Sequence, residues 1–334
     1  MFVSNRETRE NVFQLFIMDI DGTHIRRLTH DSNNYFYPHF SPDGTRILFY
    51  SQNGVEDDIY LIDANGENFV NVTHSPGNDR LCQFSPDGSK IVFVSDRDGN
   101  REIYLMNSDG SQQERLTHNI YTDHSPQFSP DGRKVLFYST VWDPYNFENP
   151  ENYNLYTIDL DGRNLTKLTP DSTYFHFSAR DDSPSVLDAA PRFSPDGLRI
   201  VFQNYRHKEF VISMMSADGS NCIDVVSQSG VDFAPLFYPD GQQILFRSHR
   251  DGDFDLYRMR LDGGGPHVRV TEDNGHTFFG DFSDDGAKIL YFSGIDEERT
   301  EYYHIYIADA YGSNRVKLTS GEFADYFPDF QPGR

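Results

Sequence analysis

The chain has 334 residues, of which 52 are acidic against 29 basic, for a formal charge of −23 at pH 7. That balance argues against nucleic acid or an anionic membrane as partner, because both need a basic face. Two cysteines, Cys82 and Cys222, offer neither a disulfide framework nor a metal-type spacing, and no apolar run reaches transmembrane length or marks a signal peptide.

The first residues, Met1-Phe2-Val3-Ser4-Asn5-Arg6, align with Val92 to Arg97 further on, so the chain begins inside a repeat. Next come seven copies or near copies of Phe-Ser-Pro-Asp-Gly, headed by Phe40, Phe84, Phe128, Phe193, Phe237, Phe282 and Phe330. The basic period is 44 residues, as from Phe40 to Phe84 to Phe128. One unit reads in order as follows. Pro86-Asp87-Gly88 is a hairpin turn, Ile91-Val92-Phe93-Val94 a strand buried on both faces, and Asp96 to Asn100 a polar loop. Glu102 to Met106 is a further strand, Ser108-Asp109-Gly110 a tight turn, and Glu114 to Thr117 a polar outer strand. With the short strand ending at Phe84 this makes four antiparallel strands, a to d. A four-stranded sheet cannot bury both faces alone, and blades stacked around a ring solve that problem. The tail from Pro328 to Arg334 supplies only a strand a and its turn. The expected fold is therefore an all-β, seven-bladed β-propeller, one domain over residues 1–334, closed by N-terminal strands b to d and a C-terminal strand a.

Departures from the period point to function. The b–c loop after Phe128 is lengthened and carries Trp142, Tyr145, Phe147 and Tyr153; the following d–a connection carries Tyr174, Phe175, His176 and Arg180. Strand direction alternates, so b–c and d–a loops share one face, and insertions of this kind often mark the binding face of a repeat protein. Such aromatic residues beside charges suit stacking on sugars or gripping a peptide; they equally suit a small satellite core.

Five residues before each Phe stand Tyr35, Asp79, Asp123, Asp188, Asp232, Thr277 and Asp325. Strand a is innermost, so these positions should circle the mouth of the central channel, on the same face as the insertions. The five aspartates are then candidate ligands for a hard cation such as Ca²⁺, or else caps for backbone N–H groups. The adjacent positions vary, as contacts to an asymmetric ligand would: Arg80, His124, Phe233 and Tyr326 are candidate ligand contacts, as is His276 nearby. No nucleophile elbow, P-loop, Rossmann glycine pattern or H-E-x-x-H is present.

Asp87-Gly88, Ile91, Phe93, Ser95, Asp109-Gly110 and Leu116-Thr117 together resemble the WD40-like (PD40) repeat of TolB-type propellers. The resemblance implies a propeller that binds proteins or other ligands at the channel face. TolB itself has six blades and a separate N-terminal domain, whereas the repeats here number seven. Asn34-Tyr35-Phe36-Tyr37 is similar to a segment of the oligogalacturonate lyases, seven-bladed propellers with a histidine metal cluster that finds no matching positions here. Two functions follow as expectations. The first is a non-catalytic, monomeric propeller binding a protein or carbohydrate, with no required cofactor. The second is a uronate polysaccharide lyase working at the channel mouth through Tyr35, Arg80, His124 or His276. With Met1 as the natural start the expected location is cytoplasmic; with a preceding segment removed, periplasmic or secreted.

Overall fold

The computed structural model describes residues 1–8, 12–52, 56–142, 151–169, 191–206, 209–226, 231–262, 266–272, 275–297 and 300–333. These form seven four-stranded antiparallel sheets. Blade 2 shows the pattern, with strand a at Asp79–Phe84, b at Lys90–Ser95, c at Glu102–Asn107 and d at Glu114–Arg115. Blades 1 and 3 to 6 repeat it, with strands a at Asn34–Phe40, Thr122–Phe128, Arg192–Phe193, Asp232–Phe237 and His276–Phe282. Blade 7 joins the two ends of the chain: Val3 pairs with Tyr326 and Ser4 with Asp325. Among the described residues no helix is long and apolar enough to cross a membrane.

Alternation along strand b builds the core. Ile91 and Phe93 pack toward blade 1, whereas Val92 and Val94 pack toward blade 3. The same division recurs around the ring, so that each blade junction holds its own apolar cluster. The Leu-Thr phrase has a specific task. Thr117 Oγ1 accepts the Ile103 amide at 2.8 Å, tying strand d to the start of strand c, as Thr73, Thr271 and Thr319 do in their blades.

Turn chemistry fixes both rims. In the a–b hairpin the Gly88 amide donates to Ser85 O, and Asp87 accepts from the Ser85 hydroxyl and the Ser89 amide. Those donors, the Ser85 hydroxyl foremost, hold the Asp87 carboxyl down at about 2. At the c–d turn Gly110 has φ +86°, and a Cβ there would lie 2.7 Å from the Val72 carbonyl oxygen of the preceding blade. Only glycine allows that approach.

Lengthened b–c hairpins rise from the opposite rim. In blade 3 strands b and c pair out to Trp142 and Glu151, and in blade 6 to Glu297 and Thr300, whereas in blade 2 pairing stops at Ser95 and Glu102.

Candidate functional site

Strand a does not alternate regularly. In blade 2, Arg80 faces Val94 and Gln83 faces Val92, so Leu81 and Cys82 together oppose the single residue Phe93. The extra residue is a β-bulge, and register shifts occur in strand a of blades 1, 3, 5 and 6 as well. Three residues before the repeat Phe, the backbone is left-handed at Tyr37 (φ 51°), Leu81 (53°), Ser125 (46°), Ala234 (52°) and Phe327 (51°). Non-glycine residues in that region are strained, and here the fold imposes the strain on blade after blade.

The bulge places Asp79 on the face of Phe84 and Phe93, and Arg80 on the face of Gln83. The four described aspartates accordingly do not circle the channel mouth: Asp79, Asp123 and Asp325 are fully buried and Asp232 is 1% exposed. Three of them are clasped by arginines. Arg97 donates Nε to Ser95 at 2.8 Å and Nη2 to both Asp79 oxygens at 3.1 and 3.0 Å. Arg250 repeats this with Ser248 and Asp232, and Arg6 with Ser4 and Asp325. Such pairs cross-link strands a and b of one blade and leave these carboxylates engaged with guanidinium groups. Burial keeps Asp79 above the usual carboxylate range despite Ser95 and Arg97; for Asp325, His304 and Arg6 outweigh burial and hold it below.

Blade 3 departs from this. Val141 stands where the clasp has its arginine, and Asp123 is bonded through Oδ2 to Asn119 while Oδ1 has no hydrogen-bond partner. Burial, aided by the nearby Glu102 carboxylate, pushes Asp123 up to about 6.

Tyr35 also leaves the expected mouth. It is fully buried in the core between blades 7 and 1, its hydroxyl donating to Asp31. Arg80 is held by the buried Asp57 of blade 1. His124 stacks on Tyr138 with ring centroids 5.2 Å apart, and Arg80, Arg101 and His124 line one small cleft. Phe233, Tyr326 and His276 are half-buried on an arc of aromatic rings. That arc passes from Phe210 to Phe233 and Phe254, where His276 joins it. It continues over Arg247, which lies 4.3 Å from the Phe254 centroid and 3.7 Å from that of Phe278. From Phe278 it runs through Tyr303, Tyr326 and Phe13 to Phe36. Trp142 is placed by its backbone alone, at the tip of strand b in blade 3; Tyr145, Phe175, His176, Arg180 and Asp188 lie outside the described residues.

The residues that line the channel stand immediately before each repeat Phe. Blades 6 and 7 contribute Asp281 and Asp329, blades 2 and 3 contribute Gln83 and Gln127, and blades 1, 4 and 5 contribute His39, Arg192 and Leu236. They border a cavity of about 290 Å³. A second space of about 310 Å³ on the a–b hairpin side shares five of them. Several also stitch the blades together. Gln83 Oε1 accepts the Phe128 amide at 3.3 Å, Gln127 Oε1 the Phe193 amide at 3.1 Å, and Asp329 Oδ2 the Phe40 amide at 2.9 Å. Burial, together with the neighbouring Asp329 carboxylate, raises the Asp281 carboxyl well above the usual range. The phrase Phe-Ser-Pro-Asp-Gly itself would have located this set, one step upstream of each copy, had the bulge been legible.

Four-stranded blades, a ring sealed by both chain ends and a polar channel define a seven-bladed, closed β-propeller. The TolB β-propeller domain model (PD40) matches residues 1–142 and 182–334, and the chain belongs to that family. A sequence search of curated proteins found no match. Among solved structures, TolB from Agrobacterium tumefaciens is 20% identical, with 98% of this chain and 90% of that one covered and a TM-score of 0.54. An oligogalacturonate lyase solved with manganese is 16% identical over 91% of this chain and 84% of that one (TM-score 0.67). The oligogalacturonate lyase of Vibrio parahaemolyticus is likewise 16% identical, over 92% and 84% (TM-score 0.68). At these identities the likeness is one of fold.

Proposed function

We propose that this chain is a binding propeller that engages a protein or glycan ligand on the face carrying the b–c and d–a loops, and that it does so without chemistry. The observation that carries the reading is the arc of aromatic rings from Phe210 to Phe36, half-buried apart from the buried Tyr303, which reaches across blades 4 to 7 and into blade 1 on that side. Partly exposed rings offer flat apolar area at little entropic cost, and the cleft of Arg80, Arg101 and His124 adds hydrogen-bond donors beside it. Membership of the TolB propeller family supports a protein partner.

The test is a screen of wild-type protein against arrayed neutral and uronate oligosaccharides and a displayed peptide library. Phe36→Ser and Phe233→Ser are compared with Arg133→Ala, an exposed residue on the opposite rim. The expected result is a ligand whose affinity drops about tenfold or more in both Phe variants, the loss typical of an interface anchor, and is unchanged in Arg133→Ala. Binding that survives both Phe variants would refute the assignment of this face. Incubation with uronate polymers, followed by the ultraviolet absorbance of unsaturated products, tests the lyase alternative at the cleft of Arg80 and His124. A rise in absorbance would replace the binding reading.

A further inference from the structure

The central cavity lies inside the ring, adjoining the aromatic arc through Phe292 and Phe327, and its charge is unevenly placed. Asp281 and Asp329 stand side by side on blades 6 and 7. Arg192 stands on blade 4, two blades from Asp281 and three from Asp329. Leu236 of blade 5 lies between them, and Phe279 and Phe327, on the blades of the two carboxyls, add apolar lining.

Blade stitching explains part of this set. Asp281 Oδ2 accepts the Phe330 amide at 3.3 Å, and Oδ1 accepts the Phe282 amide at 2.8 Å. It does not explain the whole, because a ring needed only for stitching would carry an acceptor on every blade, and Leu236 and Arg192 offer none. A carboxyl pair, a guanidinium two to three blades away and apolar side chains lining the same space complement a dipolar molecule with an apolar side chain. The space of about 290 Å³ sits at the small end of ligand sites, which start at roughly 300 Å³. That suits a single amino acid and is too small for an oligosaccharide.

We propose that the channel cavity binds a small zwitterion of the amino-acid type, its ammonium on Asp281 and Asp329, its carboxylate toward Arg192 and its side chain against Leu236, Phe279 and Phe327. An ammonium seated on the two carboxyls displaces the proton that burial and the neighbouring Asp329 favour on Asp281, so binding should release a proton to solvent. His39, 4.0 Å from Asp329, Tyr37, Arg192 and, on the hairpin side, Asp284 are the other charged or titratable groups lining this space, and the Met1 amine lies close enough to feel Asp329 and Asp281. Desolvation inside the ring, aided by Arg192 and opposed by Asp329, lowers His39.

The experiment is a thermal-shift survey of the twenty standard amino acids, each at about 10 mM, a concentration that reveals millimolar affinity. Calorimetry on the best of them follows, beside its analogues lacking the amino or the carboxyl group. One amino acid should bind, with both analogues at least about tenfold weaker, a difference of one charged contact. Proton release should appear as a dependence of the binding heat on the buffer's ionisation heat. Asp329→Asn keeps a side-chain oxygen for the Phe40 amide, whereas Asp281→Asn keeps an acceptor for only one of its two amides; whichever folds like the wild type should bind about tenfold more weakly or worse. Arg192→Gln should erase the preference for the amino acid over its decarboxylated analogue. No stabilisation by any amino acid, or undiminished binding in a folded Asp→Asn variant, would overturn the proposal.

Discussion

Arg97→Met tests whether the buried aspartates are held by their arginines. In the native chain Arg97 is 15% exposed and Asp79 fully buried, and the guanidinium spends four hydrogen bonds locally: one to Ser95, two to Asp79 and one to Gln113. It also lies over Tyr104, 4.7 Å from the ring centroid. Methionine preserves most of the apolar stem but leaves a carboxylate in the core with no counter-charge, a change that costs about 3–5 kcal/mol. For 334 residues the unfolding entropy is about 0.7 kcal/mol/K, so the expected fall in Tm is about 4–7 °C. Burial already raises Asp79 with Arg97 in place, and removing Arg97 raises it further. A carboxyl whose folded value exceeds its unfolded value costs most when ionised, so the deficit is full above the raised value and shrinks as pH falls toward the unfolded value. The double variant Asp79→Ser, Arg97→Met has no stranded charge and should recover most of the loss. The assay is urea unfolding at pH 8 and pH 5. A single variant within about 1 kcal/mol of wild type, the level of a surface pair, would refute the reasoning, as would a double variant no better than the single.

Other outcomes follow from the same structure. Gly110→Ala should cost well over 1 kcal/mol, through its clash with the Val72 carbonyl, whereas Gly99→Ala, with nothing within 4 Å, should lose only about 1 kcal/mol for its left-handed backbone; denaturant midpoints distinguish them. Asp123→Asn should be more stable than wild type at pH 8 by about 1–3 kcal/mol and indistinguishable from it at pH 4, because the cost of ionising Asp123 builds up between the unfolded carboxylate value and the raised value near 6 and is full above it. Asp281→Asn should flatten the decline of stability with rising pH, since the folded protein binds an extra proton at Asp281 between the unfolded carboxylate value and its own higher one. Phe93→Ala, which empties a fully buried ring site, should cost about 3–5 kcal/mol in equilibrium unfolding.

The blades were legible because each of their signals is local and repeated: turn glycines, a β-branched and aromatic strand b, and an outer Leu-Thr. Closure was legible too, since the first and last residues complete one repeat. The site was less so, for two physical reasons. The bulge adds one residue to strand a at a position occupied by Tyr, Leu, Ser, Ala and Phe in different blades, and no residue type announces a left-handed backbone there. Placing strand a innermost, with its entrance at the mouth, assigned the channel to Asp79 and its counterparts, whereas Gln83 and its counterparts line it. The clasps spanned 18 residues, from Asp79 to Arg97 and from Asp232 to Arg250. Their trace was the arginine two places after the strand-b serine at Arg6, Arg97 and Arg250, present in blades whose strand a starts with Asp.

One of those clasps differs from the others in what it encloses. Arg97 and Asp79 close 18 residues of chain, whereas Arg6 and Asp325 close 319. In a flexible chain the longer loop costs about 2.5 kcal/mol more to close. The same joint is therefore the least favourable to form early. Assembly should pass through an open arc of six blades whose own curvature brings the two ends together, with the seam engaging last.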